Sequence, residues 1–153
     1  MLSKKSVARL IACQVLAMYY DQNNEDKDIE SLSRMVNDHY VEDALRDTDG
    51  KNIYQGIYRG RFTLNLIQGV IIGREKFDDK IKNLLRDGSS INSLDSIVLQ
   101  SLRLACFELS NFTTARKIII SEYVDIVAEF CDKNCTDFTN GVLDRMMTLE
   151  LKG

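Results

Sequence analysis

Not one of the 153 residues is proline, and apolar side chains recur at every third or fourth position along nearly the whole chain. Proline interrupts helices because it lacks an N–H and its ring collides with the preceding turn. A chain with none, and with only eight glycines, has few places where helical hydrogen bonding must stop. The same scarcity excludes a collagen-like chain, a Pro-rich linker and a turn-dense β-sandwich. The three-four rhythm is the signature of amphipathic helices, and the length suits one domain able to bury a core of its own. The predicted fold class is therefore all-α, with about seven helices.

The first helix carries Val7, Leu10, Ile11, Val15 and Met18, thickened by Ala8, Ala12 and Leu16. It is apolar round most of its circumference and so is expected at the centre of a core, with Lys4, Lys5 and Arg9 facing water. The segment superficially resembles a secretion signal. Arg9 and Gln14 interrupt it and no small-residue cleavage site precedes Asp21, so it reads as a folded helix of a cytoplasmic protein. No apolar run approaches the roughly 20 residues that span a bilayer. A second helix is expected over 29–47, then a loop at 47–56 rich in Gly, Asp and Asn. A third is expected over 58–72 and a fourth over 75–86, separated at Gly73 and ended by Gly88. Gly69, inside the third, costs about 1 kcal/mol against Ala and is expected to admit a neighbouring helix closely. Ser93 is the candidate N-cap of a fifth helix over 94–110. A sixth spans 117–130, with Phe130 inward. Its Lys-Ile-Ile-Ile-Ser run is kept helical rather than read as a strand, because the rhythm continues to its end. Asn134 or Cys135 opens the last, striped by Phe138, Val142, Met146 and Leu149.

Little in this chain suggests catalysis. There is no Gly-rich phosphate loop, and the single histidine, His39, lies in acidic helical sequence without a partner motif. The paired acids Asp78–Asp79 and Glu122–Asp125 lack the Glu-x-x-His repeats of a di-metal bundle. Cys13 and Cys106 sit in apolar helical sequence and read as core. Cys131 and Cys135 have a spacing that can place two thiols on one helix face, but a zinc site needs about four ligands. No metal, cofactor or small-molecule substrate is expected.

Charge is unevenly distributed. Residues 1–20 hold three bases and no acid, residues 21–50 ten acids against three bases, and the chain as a whole carries −3. A basic end beside an acidic stretch suits an anion at one face and another partner elsewhere. Phe138 has two readings: stacking on a base, or the packing usual for an aromatic at a stripe position. Spacing alone favours packing. Gly141, inside the last helix, is expected at a close helix contact, with Asn140 beside it.

Three segments resemble one family. They are Leu102-Arg103-Leu104-Ala105-Cys106-Phe107-Glu108-Leu109, Lys117-Ile118-Ile119-Ile120-Ser121-Glu122, and Phe138-Thr139-Asn140-Gly141-Val142-Leu143-Asp144. Their order and spacing are similar to the LRLAxYEL, KVxINE and FVNGVLD blocks of the NusB transcription antitermination factors. Phe62 with Gly69-Val70, and Ala8-Arg9 through Leu16, extend the likeness over most of the chain, most weakly over residues 21–58. The resemblance implies a single domain, 1–153, of two helical bundles, about 1–73 and 74–153. It also implies a non-enzymatic protein that pairs with the ribosomal protein NusE on boxA-type RNA within an RNA polymerase antitermination complex, notably on ribosomal RNA operons. On this resemblance Lys4, Lys5, Arg9 and Phe138 become RNA-contact candidates.

The chain departs from the pattern at Ser6 and Val7, where relatives are often basic, and at Ala17, Asn134 and Val98-Leu99-Gln100-Ser101. Ala115-Arg116 replaces a family proline, and Arg116 restores a cation there, which adds it to the RNA candidates. Arg103 and Glu108 are expected as an interior pair or as caps, Glu122 as a tie between helices, and Asn140 and Gly141 in packing. Two alternatives are a protein-binding scaffold without RNA contact, and a NusB-like module of an RNA methyltransferase. The second would need a long catalytic domain beyond this length.

Overall fold

The computed structural model describes residues 2–21, 28–41, 53–86 and 89–152. Six α-helices are present among them, and no strand: α1 (Lys4–Tyr19), α2 (Ile29–Val36), α3 (Arg61–Leu84), α4 (Ser96–Asn111), α5 (Arg116–Phe130) and α6 (Lys133–Lys152). The expected third and fourth helices are one. Gly73 does not end α3, because a glycine tolerates helical geometry and the good helix formers Arg74-Glu75-Lys76 follow it. Its missing side chain has a local use: a Cβ there would lie 2.6 Å from the Phe77 ring.

The chain forms two compact units, Met1–Gln68 and Gly69–Gly153, and the boundary falls inside α3. In the first, α1 begins at Ser3, whose hydroxyl accepts the Ser6 amide N–H at 3.0 Å. Its residues Val7, Ala8, Leu10, Ile11, Ala12, Cys13, Val15 and Leu16 are all buried, in keeping with the all-round apolar sequence. It packs against α2 and a 3-10 turn at Ile57–Arg59. Asp28 caps α2 by accepting the Ser31 amide at 2.7 Å, and this bond holds the exposed carboxyl below the ordinary range. The helix is shorter than its expected 29–47: it passes into a π-helical turn at Asn37–Val41, and residues 42–47 lie outside the described segments. Tyr54 is buried and donates its hydroxyl to the Leu2 carbonyl at 2.7 Å, which ties down the start of the chain.

In the second unit α4 is the most buried element, and α5 and α6 pack on it and on each other. Gly69 does admit a neighbour: a Cβ would lie 2.1 Å from the Phe107 ring of α4. Asp95, not Ser93, caps α4, accepting the Ile97 amide at 2.9 Å, while Ser93 ends a 3-10 turn. The expected cap at Gly88 lies outside the described residues. The triple isoleucine is helical, with Ile119 and Ile120 inside and Ile118 half in water. Helix α6 opens one residue earlier than expected, because Asp132 accepts the Cys135 amide at 2.9 Å. That bond also holds the Asp132 carboxyl below its ordinary range. Phe130 and Leu149, expected inward, are 39% and 51% exposed: each lies near the end of its helix, where fewer neighbours reach.

Candidate nucleic-acid interface

Backbone N–H groups and the helix dipole make the start of α1 electropositive. Cations there oppose the dipole, yet the first turn carries Lys4 and Lys5, both exposed, and no acid. This arrangement weakens the helix slightly and concentrates positive potential on one exposed turn. The Lys5 ammonium sits 5.3 Å from the centroid of the Phe62 ring, which α3 supplies within the same unit. The Arg9 guanidinium sits over the same ring at 5.5 Å. Arg9 is only 2% exposed, so it does not face water as expected. One turn beyond Lys5, it falls between the buried Ala8 and Leu10, and the ring face receives its planar head. Of the three N-terminal cations, Lys4 and Lys5 meet solvent.

Arg116 and Phe138 belong to the second unit. Arg116 is the first residue of α5, and Ala115 before it offers no side-chain cap. The guanidinium is partly buried, and its Nη1 has no hydrogen-bond partner. Lys117 beside it is exposed. Phe138 lies in the second turn of α6, half-buried, so its ring is neither wholly core nor wholly free.

The motif residues divide differently from expectation. Arg103 and Glu108 each bind a side chain of another helix. Arg103 grips Asp78 of α3 with two bonds, Nε to Oδ1 at 2.7 Å and Nη2 to Oδ2 at 2.9 Å, and reaches Gln100 Oε1 at 3.4 Å. Glu108 is fully buried and accepts the Tyr123 hydroxyl at 2.6 Å. Five residues apart on one helix, the two side chains point to different neighbours. Glu122 is half-buried on α5. Asn140 is exposed, and a Cβ on Gly141 would meet only the Arg145 Nη1, at 3.6 Å. Neither packs closely as expected, because the inward stripe of α6 runs through Thr139, Val142, Leu143 and Met146.

Cys131 and Cys135 do not share one helix face. Cys131 ends α5 and Cys135 lies in the first turn of α6. Burial first, and then the nearby Asp95 carboxylate at 3.5 Å, push the Cys131 thiol up to about 12. Burial, with Asp132 and Asp95, raises Cys135 as well. Among the described residues no three His, Cys, Asp or Glu side chains are grouped to hold a metal, and His39 is exposed. No described helix is long and apolar enough to cross a membrane.

Sequence reasoning missed two partners. Phe62 entered only as part of the family likeness, and Asp78 as half of an acidic pair. The only signal available was the demand each buried cation makes for a partner, which does not say where in the chain the partner lies.

The NusB family model matches residues 6–148. The transcription antitermination protein NusB of Caulobacter vibrioides is 30% identical over 141 residues, covering 92% of this chain and 89% of that protein. Its namesake from Rickettsia conorii is 27% identical over 146 residues, covering 95% and 92%. Among solved structures, a crystal structure of antitermination factors NusB and NusE in complex with dsRNA matches with a TM-score of 0.71 at 22% identity. It covers 97% of this chain and 99% of that one, which establishes a shared fold. With the family pattern running almost end to end and a relative aligned over nine-tenths of its length, this chain belongs to the NusB family.

Proposed function

We propose that this chain is a non-catalytic, RNA-binding transcription antitermination factor. It pairs with the ribosomal protein NusE on boxA-type RNA and acts in the cytoplasm as part of an RNA polymerase antitermination complex. Family membership supplies the frame. The observation that carries the RNA reading is the first turn of α1, where Lys4 and Lys5 stand exposed on the positive end of a helix with no acid beside them. Electrostatic attraction to phosphates supplies most of the sequence-independent affinity for nucleic acid, and a helix N-terminus adds its own N–H groups.

In this reading Lys4 and Lys5 contact phosphates directly, and Arg9 braces the turn from beneath. Arg116 adds a cation in the second unit, and Phe138 offers the open part of its ring to a base. Arg103, Glu108 and Glu122 hold the fold. The test replaces Lys4 and Lys5 with Ala and, separately, Phe138 with Ala, and measures RNA affinity across a salt series. Loss of the lysines weakens all RNAs alike and lowers the salt slope by about 0.7 per lost contact on single strands. Loss of the ring costs about 1–3 kcal/mol of binding at an unchanged slope. A Phe138→Ala variant that melts far lower while its folded fraction binds RNA normally would return Phe138 to the core. Unaltered binding by the double lysine variant would remove α1 from the interface.

A further inference from the structure

We infer that Phe62 is a positioning residue for phosphate recognition: its ring carries the Lys5 ammonium and so presents that cation to the RNA backbone. The inference rests on the reading of Lys5 as a phosphate contact. Lys5 and Arg9 are four apart on α1 and therefore neighbours on one face, where like charges repel. Both lie over the same ring, at 5.3 Å and 5.5 Å from its centroid. These distances are within the range where the negative face of an aromatic ring attracts a cation. Arg9 is almost sealed from water, so its bulky guanidinium and the ring fix each other. Lys5 is exposed, with a four-carbon stem whose rotamer freedom must be given up when its ammonium meets a phosphate. A ring that already holds the ammonium lowers that cost, because the cation is presented in a restricted position before RNA arrives. Phe62 itself is half-buried. It is placed by α3, the helix whose start is steadied by the Thr63 hydroxyl donating to the Ile57 carbonyl at 2.6 Å.

A purely structural Phe62 would affect stability and leave Lys5 alone, whereas a positioning ring couples the two residues in RNA binding. The test is a double-mutant cycle of Lys5→Ala and Phe62→Leu on the full chain with NusE, titrated with a boxA-type RNA at fixed salt. Phe62→Tyr serves as the conservative control. Melting temperatures confirm that the folded protein is being compared. Phe62→Leu is expected to weaken RNA binding about two- to five-fold without changing the salt slope, and Phe62→Tyr to restore it. The double variant should bind no more weakly than Lys5→Ala. In the protein without RNA, the Lys5 ε-methylene protons should show an upfield ring-current shift that Phe62→Leu abolishes and Phe62→Tyr keeps. If Lys5→Ala weakens binding and Phe62→Leu adds a full, independent loss on top, the positioning role is overturned while the phosphate contact stands. If Lys5→Ala leaves affinity unchanged, the phosphate contact itself is wrong and the inference falls with it.

Discussion

Replacing Gly69 with Ala should destabilise the second unit, although Ala is the better helix former. A Cβ at this position would lie 2.1, 2.3 and 2.6 Å from Cε1, Cζ and Cδ1 of Phe107. Carbon atoms rest at roughly 3.5–4.0 Å, so the ring must retreat by more than about 1 Å as a rigid plate. Its retreat is hindered by edge-to-face contacts with Phe77 at 6.4 Å and Phe112 at 5.6 Å, each worth about 0.5–1.5 kcal/mol. Overpacking of this kind costs about 1–3 kcal/mol, and three struck ring atoms place Gly69 at the upper end. Helix propensity returns about 1 kcal/mol. The net loss is about 2 kcal/mol, or roughly 4–8 °C in melting temperature for a chain of this size. Calorimetry and urea unfolding should both report it, and Phe107→Leu in the same chain should relieve part of it. Gly141→Ala is the control, because its Cβ meets only Arg145 at 3.6 Å; that variant should gain about 0.5–1 kcal/mol. A Gly69→Ala protein that melts with or above the wild type would refute the close-approach argument.

Other perturbations have equally definite signs. Tyr123→Phe removes the hydroxyl that Glu108 accepts at 2.6 Å inside the core and should cost about 1–3 kcal/mol in urea unfolding. Asp78→Ala strips the bidentate partner from Arg103, whose side chain is 7% exposed, and should cost about 3–5 kcal/mol by the same measure. The Cys131 thiol, raised to about 12 by burial and by Asp95, should alkylate slowly at pH 8 and faster as pH rises. Asp95→Asn, read by mass spectrometry of the labelled peptide, should lower that thiol's pKa and quicken the reaction.

What the sequence discloses here is whatever a few neighbouring residues decide together. The three-four rhythm placed the helices, kept the triple isoleucine helical and identified α1 as a helix buried nearly all round. The cost of a glycine inside a helix marked Gly69 as a close approach. The failures concern partners set by the fold. Gly73 looked like a helix end because its real reason, the Phe77 ring in the space of its Cβ, is a packing fact. Ser93 and Asp95 are both competent caps, and the turn at Ile91–Ser93 decides between them. Arg9 reads as a surface cation by charge, yet it is buried between Ala8 and Leu10. The Phe62 ring that resolves the conflict lies on another helix. The RNA candidates carry the same limit: Lys4 and Lys5 are legible as a local cluster, while the role of Phe62 depends on where α3 sets it.

The central claim is that this chain binds RNA weakly alone and tightly with NusE. Titrating a boxA-type RNA against the isolated chain and against the pair, over a range of salt, tests it most directly. If Lys4, Lys5 and Arg116 each meet one phosphate, as proposed, the isolated chain has a salt slope of only about −2 on single strands, so its binding should be weak at cellular salt. The pair should bind far more tightly and with a steeper slope, because the partner adds contacts to a preassembled surface. Equal affinity for the chain and for the pair would contradict the account.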